Sequence, residues 1–475
     1  MRKLILLTVS AALLAACSKS APPQASQPDL TNLNGAQAVA GEILVKYKGG
    51  ASVSSVKALS GSRMVQSVGG GDWGTLARVS VPKGQELSYV SGYAGQAGVE
   101  YAEPNYWVPN SRAEVQNLSL SKGGAVSSLA LPNPITDPYF TQVPTGDPFA
   151  TASAGGGATY SNVPFLWGIY RVRAPEAWAA GATGAGVVVA DIDDGADLTH
   201  PDLAPNLWTN PNPSDPNCPG TNGYDFANDD ADPTDTNGHG THTAGTIAAA
   251  ANGQGVVGVA PEAKLMILKG LGFFGGTNFM LVRALKYAAD CGAKVANNSW
   301  GGGQKTKAFK DVLEYGTAKG TTYVFSSGNS FRDGNRPSSP VVYSTEVAGV
   351  IGVGATSPNN VRTGFSSTGD YVTVAAPGQA ILSTIPQDQG NPNDPYAFLQ
   401  GTSMAAPHVT GVVALLYSAK PGLKPEQVRV ALERTANATL TGQLAVPDYQ
   451  AASAGWYGYG LVDAKAALDY VKANY

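Results

Sequence analysis

The stretch Val187-Val188-Val189-Ala190-Asp191-Ile192-Asp193-Asp194-Gly195 is an apolar run that contains three aspartates. It is predicted to form a buried β-strand that ends in carboxylates and a glycine. From Leu166 to Tyr470, similar apolar strands alternate with helical segments. The predicted strands are 187–192, 265–269, 294–297, 322–326 and 350–353. This alternation predicts an α/β fold with a doubly wound, mostly parallel sheet and flanking helices. Functional side chains are expected where such strands end.

The composition indicates a compact, loop-rich globular protein. Of its 475 residues, 43% are hydrophobic and only 14% are charged, with 58 Gly and 32 Pro. The net charge of −4 argues against nucleic-acid binding, which needs a basic surface. Beyond the N-terminus no apolar run reaches about 18 residues, so no transmembrane helix is expected. Cys17, Cys218 and Cys291 include no CxxC pair, which disfavours zinc, and the last two could pair after export.

Three segments combine the side chains that nucleophilic catalysis needs. They are the strand ending at Asp193, Asn237-Gly238-His239-Gly240-Thr241-His242, and Gly401-Thr402-Ser403-Met404-Ala405 ahead of an apolar helix. A serine at a helix start has its own N–H free and lies at the positive end of the helix dipole, so an oxyanion is stabilised beside it. A neutral imidazole can take the serine proton while a carboxylate fixes its tautomer. The three segments therefore contain candidates for a triad of aspartate, histidine and serine.

These segments resemble the active-site motifs of the subtilisin-like serine peptidases (peptidase S8), in that family's Asp–His–Ser order. The resemblance implies that Asp193, His239 and Ser403 form the catalytic triad. A fourth segment, Val324-Phe325-Ser326-Ser327-Gly328-Asn329, resembles the family's oxyanion strand. The resemblance implies that Asn329 donates its side-chain N–H to the tetrahedral oxyanion. It also implies a subtilisin-like fold and a serine endopeptidase that needs no cofactor for catalysis. The alternative is a catalytically silent peptide-binding module on the same fold, which the intact catalytic positions disfavour.

The aspartate segment departs from the family pattern. Asp194 stands where the family has Thr or Ser, and Asp191 lies two residues before the predicted catalytic Asp193. Strand alternation predicts Asp191 and Asp193 on one face and Asp194 on the other. Clustered like charges predict raised pKa values for some of these carboxyls. The remaining histidines, His200, His242 and His408, are predicted to be structural.

Two strand edges are predicted to bind an extended peptide. Asn297-Asn298-Ser299-Trp300-Gly301-Gly302 resembles the family's strand along the primary specificity pocket, and Gly275-Gly276-Thr277 its opposite edge. Such edges bind a peptide backbone whatever its sequence. No acidic pocket floor is evident, so we expect broad specificity with apolar P1 residues. The predicted substrate-binding residues are Ser299, Trp300, Gly301, Gly275, Gly276, Ser327 and Gly328.

The resemblance also implies structural calcium, which takes no part in catalysis. Asp202 and the loop 250–256 match the family's tight site, where carbonyls and the Asn252 oxygen would bind the ion and Asp137 could complete the site. The loop 225–235 looks like the calcium loop of thermitase-like members, although a merely solvated acidic loop is the alternative. The predicted ligands are Asp202, Ala250, Asn252, Gln254 and Val256 for the first site, and Asp225, Asp230, Asp232 and Thr234 for the second.

The N-terminal part is predicted to make the protein an exported precursor. Arg2 and Lys3 precede a short apolar stretch, as in a signal peptide. Leu14-Ala15-Ala16-Cys17 resembles a bacterial lipobox, which implies cleavage before Cys17 and its acylation; the alternative is an ordinary signal peptide that contains a cysteine. Tyr101-Ala102-Glu103-Pro104-Asn105 resembles the end of a subtilisin propeptide, a small α+β chaperone and inhibitor. A self-processing zymogen is therefore expected.

The predicted boundaries follow from these segments. They are a lipoprotein-type signal peptide at 1–17, a tether at 18–37, the propeptide at 38–108, a linker and mature N-terminal segment at 109–162, and the peptidase domain at 163–475. The expected partners are protein and peptide substrates and the chain's own propeptide, with no nucleic acid and a monomeric mature enzyme. The precursor would be anchored to the membrane as a lipoprotein, and the mature enzyme would be extracellular or periplasmic.

Overall fold

The computed structural model describes five parts of the chain. These are residues 27–110 without 34 and 52, residues 122–125, residues 135–144, residues 163–438 without 236, 390 and 392, and residues 457–475. The predicted signal peptide and lipobox, half of the tether and most of the linker lie outside the described residues. Within the described ranges, no helix has the length and apolar character that a membrane crossing requires.

The N-terminal domain is an antiparallel sheet with one helix packed on it. Its elements are β1 (Leu30–Leu33), β2 (Ala36–Tyr47), β3 (Arg63–Gly69), β4 (Thr75–Ser80), α1 (Glu86–Ala94) and β5 (Val99–Pro109). The strand order is β3-β4-β2-β5, with β1 paired to the start of β2. Alternate β2 residues Ile43, Val45 and Tyr47 are buried in the same cluster as Tyr93 of α1. This small core accounts for the α+β architecture predicted for the propeptide.

The predicted tether at 18–37 is too long. Leu30–Leu33 and the beginning of β2 form a strand pair, so residues from about 30 belong to the folded domain. The sequence did not indicate this strand because β1, Leu-Thr-Asn-Leu, is short and half polar. It lacks the apolar alternation by which longer strands are recognised.

The remaining strands and helices form the C-terminal domain and the segment leading into it. They are β6 (Lys122–Ala125), β7 (Gln142–Pro144), α2 (Trp167–Arg171), α3 (Ala174–Ala179), β8 (Val188–Asp193), β9 (Gly223–Asp225), α4 (His239–Ala248), β10 (Lys264–Lys269), β11 (Gly275–Thr277), α5 (Asn278–Asp290), β12 (Val295–Asn298), α6 (Lys307–Ala318), β13 (Thr322–Ser326), β14 (Val350–Thr356), β15 (Val374–Pro377), β16 (Ile381–Thr384), β17 (Tyr396–Leu399), α7 (Thr402–Ala419), α8 (Pro425–Thr435) and α9 (Ala464–Asn474). Short 3₁₀ helices are Val53–Ser55, Gly71–Trp73, Ala204–Asn206, Phe331–Asp333 and Val341–Thr345.

A parallel seven-stranded sheet organises this domain, in the order β15-β14-β13-β12-β8-β10-β9. Successive β8 residues face opposite layers: Val189 packs in one core with α4 and α7, and Ala190 in the other with α5 and α6. Burial on both faces is why these strands are almost continuously apolar. The predicted doubly wound fold is confirmed, and the five predicted strands lie within a few residues of β8, β10, β12, β13 and β14.

Two features outside the sheet connect distant parts of the chain. Tyr139 and Phe140, from the segment predicted as linker, are buried in the same core as Phe165. Cys218 and Cys291, whose pairing the sequence left open, are joined by a disulfide. The segment 135–144 is thus part of the folded C-terminal domain.

Candidate active site

The carboxyl ends of the central strands bring Asp193 and His239 together. Asp193 is the last residue of β8, and His239 is the first residue of α4. Gly238, which precedes the helix, has a φ of 95°, a left-handed conformation that glycine adopts without strain. His239 Nδ1 and Asp193 Oδ1 are 2.8 Å apart, and both side chains are buried. The carboxylate can therefore fix the imidazole tautomer with Nε2 as the proton acceptor.

Electrostatics favour the imidazolium form of His239. Burial alone lowers its pKa, but the charge of Asp193 and the hydrogen bond to it, with a smaller contribution from Asp194, raise the pKa of His239 to about 9. Burial and the charge of Asp193 raise the pKa of Asp194 to about 6, and the same two causes raise the pKa of Asp191 well above its usual range. The predicted raising of carboxyl pKa values in this cluster is confirmed.

The predicted placement of Asp194 on the opposite face is wrong. β8 ends at Asp193, so the alternation of an extended strand no longer applies to the next residue. Asp194 Oδ1 accepts the N–H of Gly240 at 2.7 Å, in the first turn of α4, and Oδ2 accepts from Asn237 at 2.9 Å. Asp194 thus lies on the same side of the sheet as the triad and holds the start of the histidine helix.

Ser403 is the second residue of α7, where backbone N–H groups have no partner within the helix. Its Oγ donates to the carbonyl of Ser299 at 3.0 Å. In return, Ser299 Oγ donates to the Ser403 carbonyl at 2.8 Å. That carbonyl is free because Pro407, four residues on, has no N–H to offer it. No hydrogen bond joins the Ser403 hydroxyl to His239 among the described residues, so the nucleophile must leave Ser299 to reach the base.

Asn329 is placed to stabilise an oxyanion. It follows β13 and is exposed at the edge of the sheet. Its Oδ1 accepts from both the backbone N–H of Thr402 at 2.9 Å and the Thr402 hydroxyl at 3.0 Å. The amide is thereby fixed beside Ser403, and its Nδ2 makes no hydrogen bond within the described residues. Sequence reasoning missed Thr402, although it adjoins the predicted nucleophile.

The predicted substrate edge at β11 is occupied by the end of the N-terminal domain. β5 pairs antiparallel with β11, Trp107 opposite Thr277 and Pro109 opposite Gly275. The N–H of the next residue, Asn110, donates to the Phe274 carbonyl at 3.2 Å. On the other side, a Cβ placed on Gly303 would lie 3.2 Å from Cγ2 of Val108. A peptide segment therefore lies extended between the two predicted edges.

Several predicted substrate-binding residues face the interior instead. Trp300 is 2% exposed and packs against Phe309 and Phe325. The buried Ser299 and Ser327 use their hydroxyls to bond the carbonyls of Ser403 and Ser367. Only the backbone of these residues is free to contact a substrate. The glycines fit the prediction better: Gly275 and Gly276 pair with the peptide segment, Gly301 lies at the start of the opposite edge, and Gly328 N–H is fixed by Thr402.

The first predicted calcium site has the right oxygens. Burial raises the pKa of Asp202 to about 6, and the nearby Asp137 carboxylate adds to this effect. Asp137 Oδ2 is buried without a hydrogen-bond partner. Within the described residues, the carbonyl oxygens of Ala250, Gln254 and Val256 accept no hydrogen bond. Asn252 is the exception: its Oδ1 accepts from Gln254 N–H, while its Nδ2 points to Asp202. Two converging buried carboxylates and three unused carbonyls fit a calcium ion.

The second predicted calcium site does not fit the ion. Lys269, at the end of β10, is 4% exposed and places its Nζ 3.3 Å from Asp225 Oδ2. The same ammonium donates to the Thr234 carbonyl at 2.9 Å. Asp230 and Asp232 accept only from backbone N–H groups and the Thr234 hydroxyl of their own loop. The positive charge inside this loop is therefore that of Lys269, which lies about forty positions from Asp225 and Thr234 in the sequence.

The other histidines are structural, as predicted. His242 Nε2 lies 3.0 and 3.1 Å from the carbonyls of Ile381 and Ala397, and burial lowers its pKa to about 3. His408 Nδ1 bonds the Met404 carbonyl at 2.8 Å, and burial lowers its pKa to about 4. Both rings are therefore neutral near neutral pH and hold helices against their neighbours.

A serine at the start of α7 and a buried His–Asp pair at the end of β8, in a doubly wound sheet, form the arrangement expected of a serine hydrolase of the subtilisin type. Comparison with family models agrees: residues 184–460 match the subtilase family, and residues 24–105 match the fervidolysin N-terminal prodomain. The chain belongs to the subtilase family of serine peptidases. Its N-terminal domain is accordingly a prodomain.

Individual relatives cover different parts of the chain. Subtilisin BL from Lederbergia lenta is 38% identical over 302 residues, 63% of this chain and 97% of that protein. Thermitase from Thermoactinomyces vulgaris is 38% identical over 274 residues, covering 57% of this chain and 88% of that one. Fervidolysin from Fervidobacterium pennivorans is 37% identical over 333 residues, which span 64% of this chain but only 43% of fervidolysin. Its crystal structure matches 94% of this chain and 65% of its own, with a TM-score of 0.68 and 29% identity.

Proposed function

We propose that the protein is an exported serine endopeptidase, made as a zymogen, in which Asp193, His239 and Ser403 hydrolyse peptide bonds. The observation that carries the proposal is the buried 2.8 Å contact between His239 and Asp193. Hydrogen bonds through Ser299 and Asn297 connect Ser403 to Asp191, on the same strand as Asp193. No cofactor takes part in the chemistry.

The mechanism follows from these groups. Ser403 Oγ leaves the Ser299 carbonyl, gives its proton to His239 Nε2 and attacks the substrate carbonyl. The oxyanion that forms accepts from the Ser403 N–H and from Asn329 Nδ2, the two unused donors at the start of α7. Asp193 stabilises the imidazolium, which then protonates the leaving amine. Water repeats the sequence on the acyl-enzyme and releases Ser403.

Substrates bind as an extended strand between β11 and the Gly301–Gly303 segment. The pairing of Trp107–Pro109 with Gly275–Thr277 supports this, because it uses backbone groups that any peptide offers. We propose that the enzyme has broad specificity and accepts apolar P1 residues in its primary specificity pocket.

The prodomain inhibits the enzyme by occupying the cleft. Besides the β5–β11 pairing, Glu103 accepts the backbone N–H groups of Lys307 and Ala308 at 2.9 and 3.0 Å, at the start of α6. Lys46 is fully buried, with its Nζ 2.5 Å from Asp311 of α6 and 3.1 Å from the ring centre of Trp73. These contacts leave no room for a substrate, so activity requires that the enzyme cut the chain after the prodomain.

Self-processing and anchoring are tested together with the precursor. If Cys17 is acylated, a cut within the 109–162 linker separates the anchor from the enzyme. Ser403→Ala should abolish peptide hydrolysis and leave a full-length precursor that sediments with membranes, while wild-type activity appears in the soluble fraction. Normal maturation of purified Ser403→Ala, or a soluble Ser403→Ala precursor, would contradict this proposal.

The Cys218–Cys291 disulfide supports export, since such bonds persist in oxidising compartments.

A calcium ion bound by Asp202, Asp137 and the carbonyls of the 250–256 loop stabilises the fold without entering catalysis. A metal that binds only the native state adds about 2.7 kcal/mol at a hundred times its Kd. EDTA should therefore lower the melting temperature of the inactive Ser403→Ala precursor, and Asp202→Ala should remove most of that shift. Asp225→Ala is the control and should keep it, because Lys269 takes the place of an ion there. An EDTA-insensitive melting temperature would exclude the site.

A further inference from the structure

Asp191 is a buried carboxyl that the mechanism above does not use. It lies on β8 two residues before Asp193 and is 2% exposed. Its Oδ2 is 2.9 Å from the hydroxyl of Thr243, which lies on α4 one turn beyond His239. Its Oδ1 accepts from Asn297 Nδ2 at 2.8 Å, on the neighbouring strand β12. One side chain thus contacts both the helix of the catalytic base and the strand beside the catalytic aspartate.

The contact with Asn297 continues to the nucleophile. Asn297 Nδ2 also lies 3.1 Å from Ser299 Oγ, the hydroxyl that donates to the Ser403 carbonyl. From α7 itself, Thr410 donates to Asn297 Oδ1 at 3.1 Å. The Ser403 carbonyl is available only because Pro407 interrupts the helix ladder. The network therefore joins β8, α4 and α7, the three elements that carry the triad.

Hydrogen counting indicates the protonation state of Asp191. The Thr243 hydroxyl lies 2.9 Å from Asp191 Oδ2 and 3.0 Å from the Gly240 carbonyl. A hydroxyl has one hydrogen, and a carbonyl can only accept. When Thr243 donates to Gly240, the bond to Asp191 forms only if Asp191 is the donor, which requires a protonated carboxyl. Both bonds are then satisfied.

The charges around Asp191 favour the same state. Its burial and the negative charge of Asp193 on the same strand raise its pKa, while the hydrogen bonds with Asn297 and Thr243 and the nearby His239 of α4 oppose the shift. A second carboxylate beside Asp193 would have no cation of its own, since His239 Nδ1 is already bonded to Asp193. A neutral acid avoids this repulsion and still provides one donor and one acceptor.

We propose that Asp191, held as a neutral carboxylic acid, is a positioning residue that fixes Ser403 and His239 relative to each other through Asn297, Ser299 and Thr243. The inference rests on the proposed peptidase function. It assigns a role to the extra aspartate of the Asp191-Ile192-Asp193-Asp194 run, which the triad alone leaves unexplained.

The test compares kcat, KM and pH profiles of full-chain variants, matured where necessary by a tagged wild-type enzyme that is then removed. Asp191→Ala should lower kcat by about 10²-fold with little change in KM, because a displacement of about 1 Å in catalytic groups costs that much. Asp191→Asn reproduces the donor and acceptor of the neutral acid and should restore kcat to within about threefold, with an unshifted pH profile. Thr243→Val should lower kcat, whereas Thr246→Val, which removes a buried hydroxyl from the same helix, should not.

Other outcomes would refute either the positioning role of Asp191 or its neutral state. An Asp191→Ala enzyme as fast as wild type would refute the positioning role. An Asp191→Asn enzyme as slow as Asp191→Ala, or one whose acidic limb moves to lower pH, would refute the neutral acid. Should Asp191→Ala fail to fold, Thr243→Val and Asp191→Asn still decide the question. If the wild-type enzyme itself hydrolyses no peptide, the proposed function fails instead, so the two failures are distinguishable.

Discussion

Ser403 and Ser299 hold each other by two reciprocal hydrogen bonds, and a proline makes this possible. A proline inside a helix usually costs about 3 kcal/mol or more because it removes a ladder bond and clashes with the preceding turn. In α7, the carbonyl that Pro407 leaves free is taken by Ser299 Oγ, so the loss is partly offset. Ser403 is thereby fixed to Ser299, which directly follows β12.

Asp194 controls the pH at which the base is active. His239 must be neutral to accept a proton, and its pKa, raised to about 9, places the acidic limb of kcat/KM on the alkaline side. Asp194 is ionised above about pH 6 and contributes to that shift. Asp194→Asn should therefore move the limb to lower pH by about one unit, the low end of the effect of a charge within about 4–6 Å. The exposed Asp333→Asn is the control; a limb that stays in place in Asp194→Asn would exclude this influence.

The sequence indicated the candidate catalytic residues more clearly than the residues that orient them. Asp193, His239, Ser403 and Asn329 are each marked by a strand end or a helix start. The groups that orient them are not marked, because Thr402 meets Asn329 and Ser299 meets Ser403 only after parts of the chain far apart in sequence have folded together. The role of Lys269 in the Asp225 loop was missed for the same reason, and a calcium ion was predicted instead.

Among the secondary-structure elements, β5 has the most direct effect on activity. Its end lies in the substrate cleft, and its middle reaches α6 through Glu103. That carboxyl accepts two backbone N–H groups at a helix start, where negative charge is favoured, although burial raises its pKa to about 7. The prodomain is thus bound both by the strand pairing that substrates would use and by a contact that no substrate makes.

Removing Glu103 should weaken the prodomain's hold. Two hydrogen bonds to a charged acceptor, each worth about 1.5–3 kcal/mol, are lost in Glu103→Ala. The variant precursor should show a shorter lag before peptide hydrolysis appears and a weaker inhibition after processing, measured by progress curves. Glu100→Ala, on the same strand but exposed, is the matched control. Identical lags in the two variants would show that Glu103 does not contribute to the inhibited state.

At the scale of the whole molecule, the sequence predicted two domains and the central sheet. Doubly buried strands such as β8 and β13 are recognisable because they contain uninterrupted apolar runs, Val188–Ala190 in β8 and Tyr323–Phe325 in β13. The end of the tether and the interior position of Trp300 were not predicted. Both depend on packing between elements, namely β1 on β2 and the segment after β12 on α6. The docking of the prodomain into the cleft depends on such contacts as well.

The central claim is that Ser403 is a nucleophile activated by His239 and Asp193. Covalent labelling with a fluorophosphonate, followed by mass spectrometry of the matured enzyme, tests it most directly. We expect one adduct, on Ser403, with loss of peptide hydrolysis in step with labelling, and no adduct in Ser403→Ala or at neutral pH in His239→Ala. Labelling of another residue, or full hydrolytic activity in enzyme whose Ser403 is labelled, would show that Ser403 is not the nucleophile.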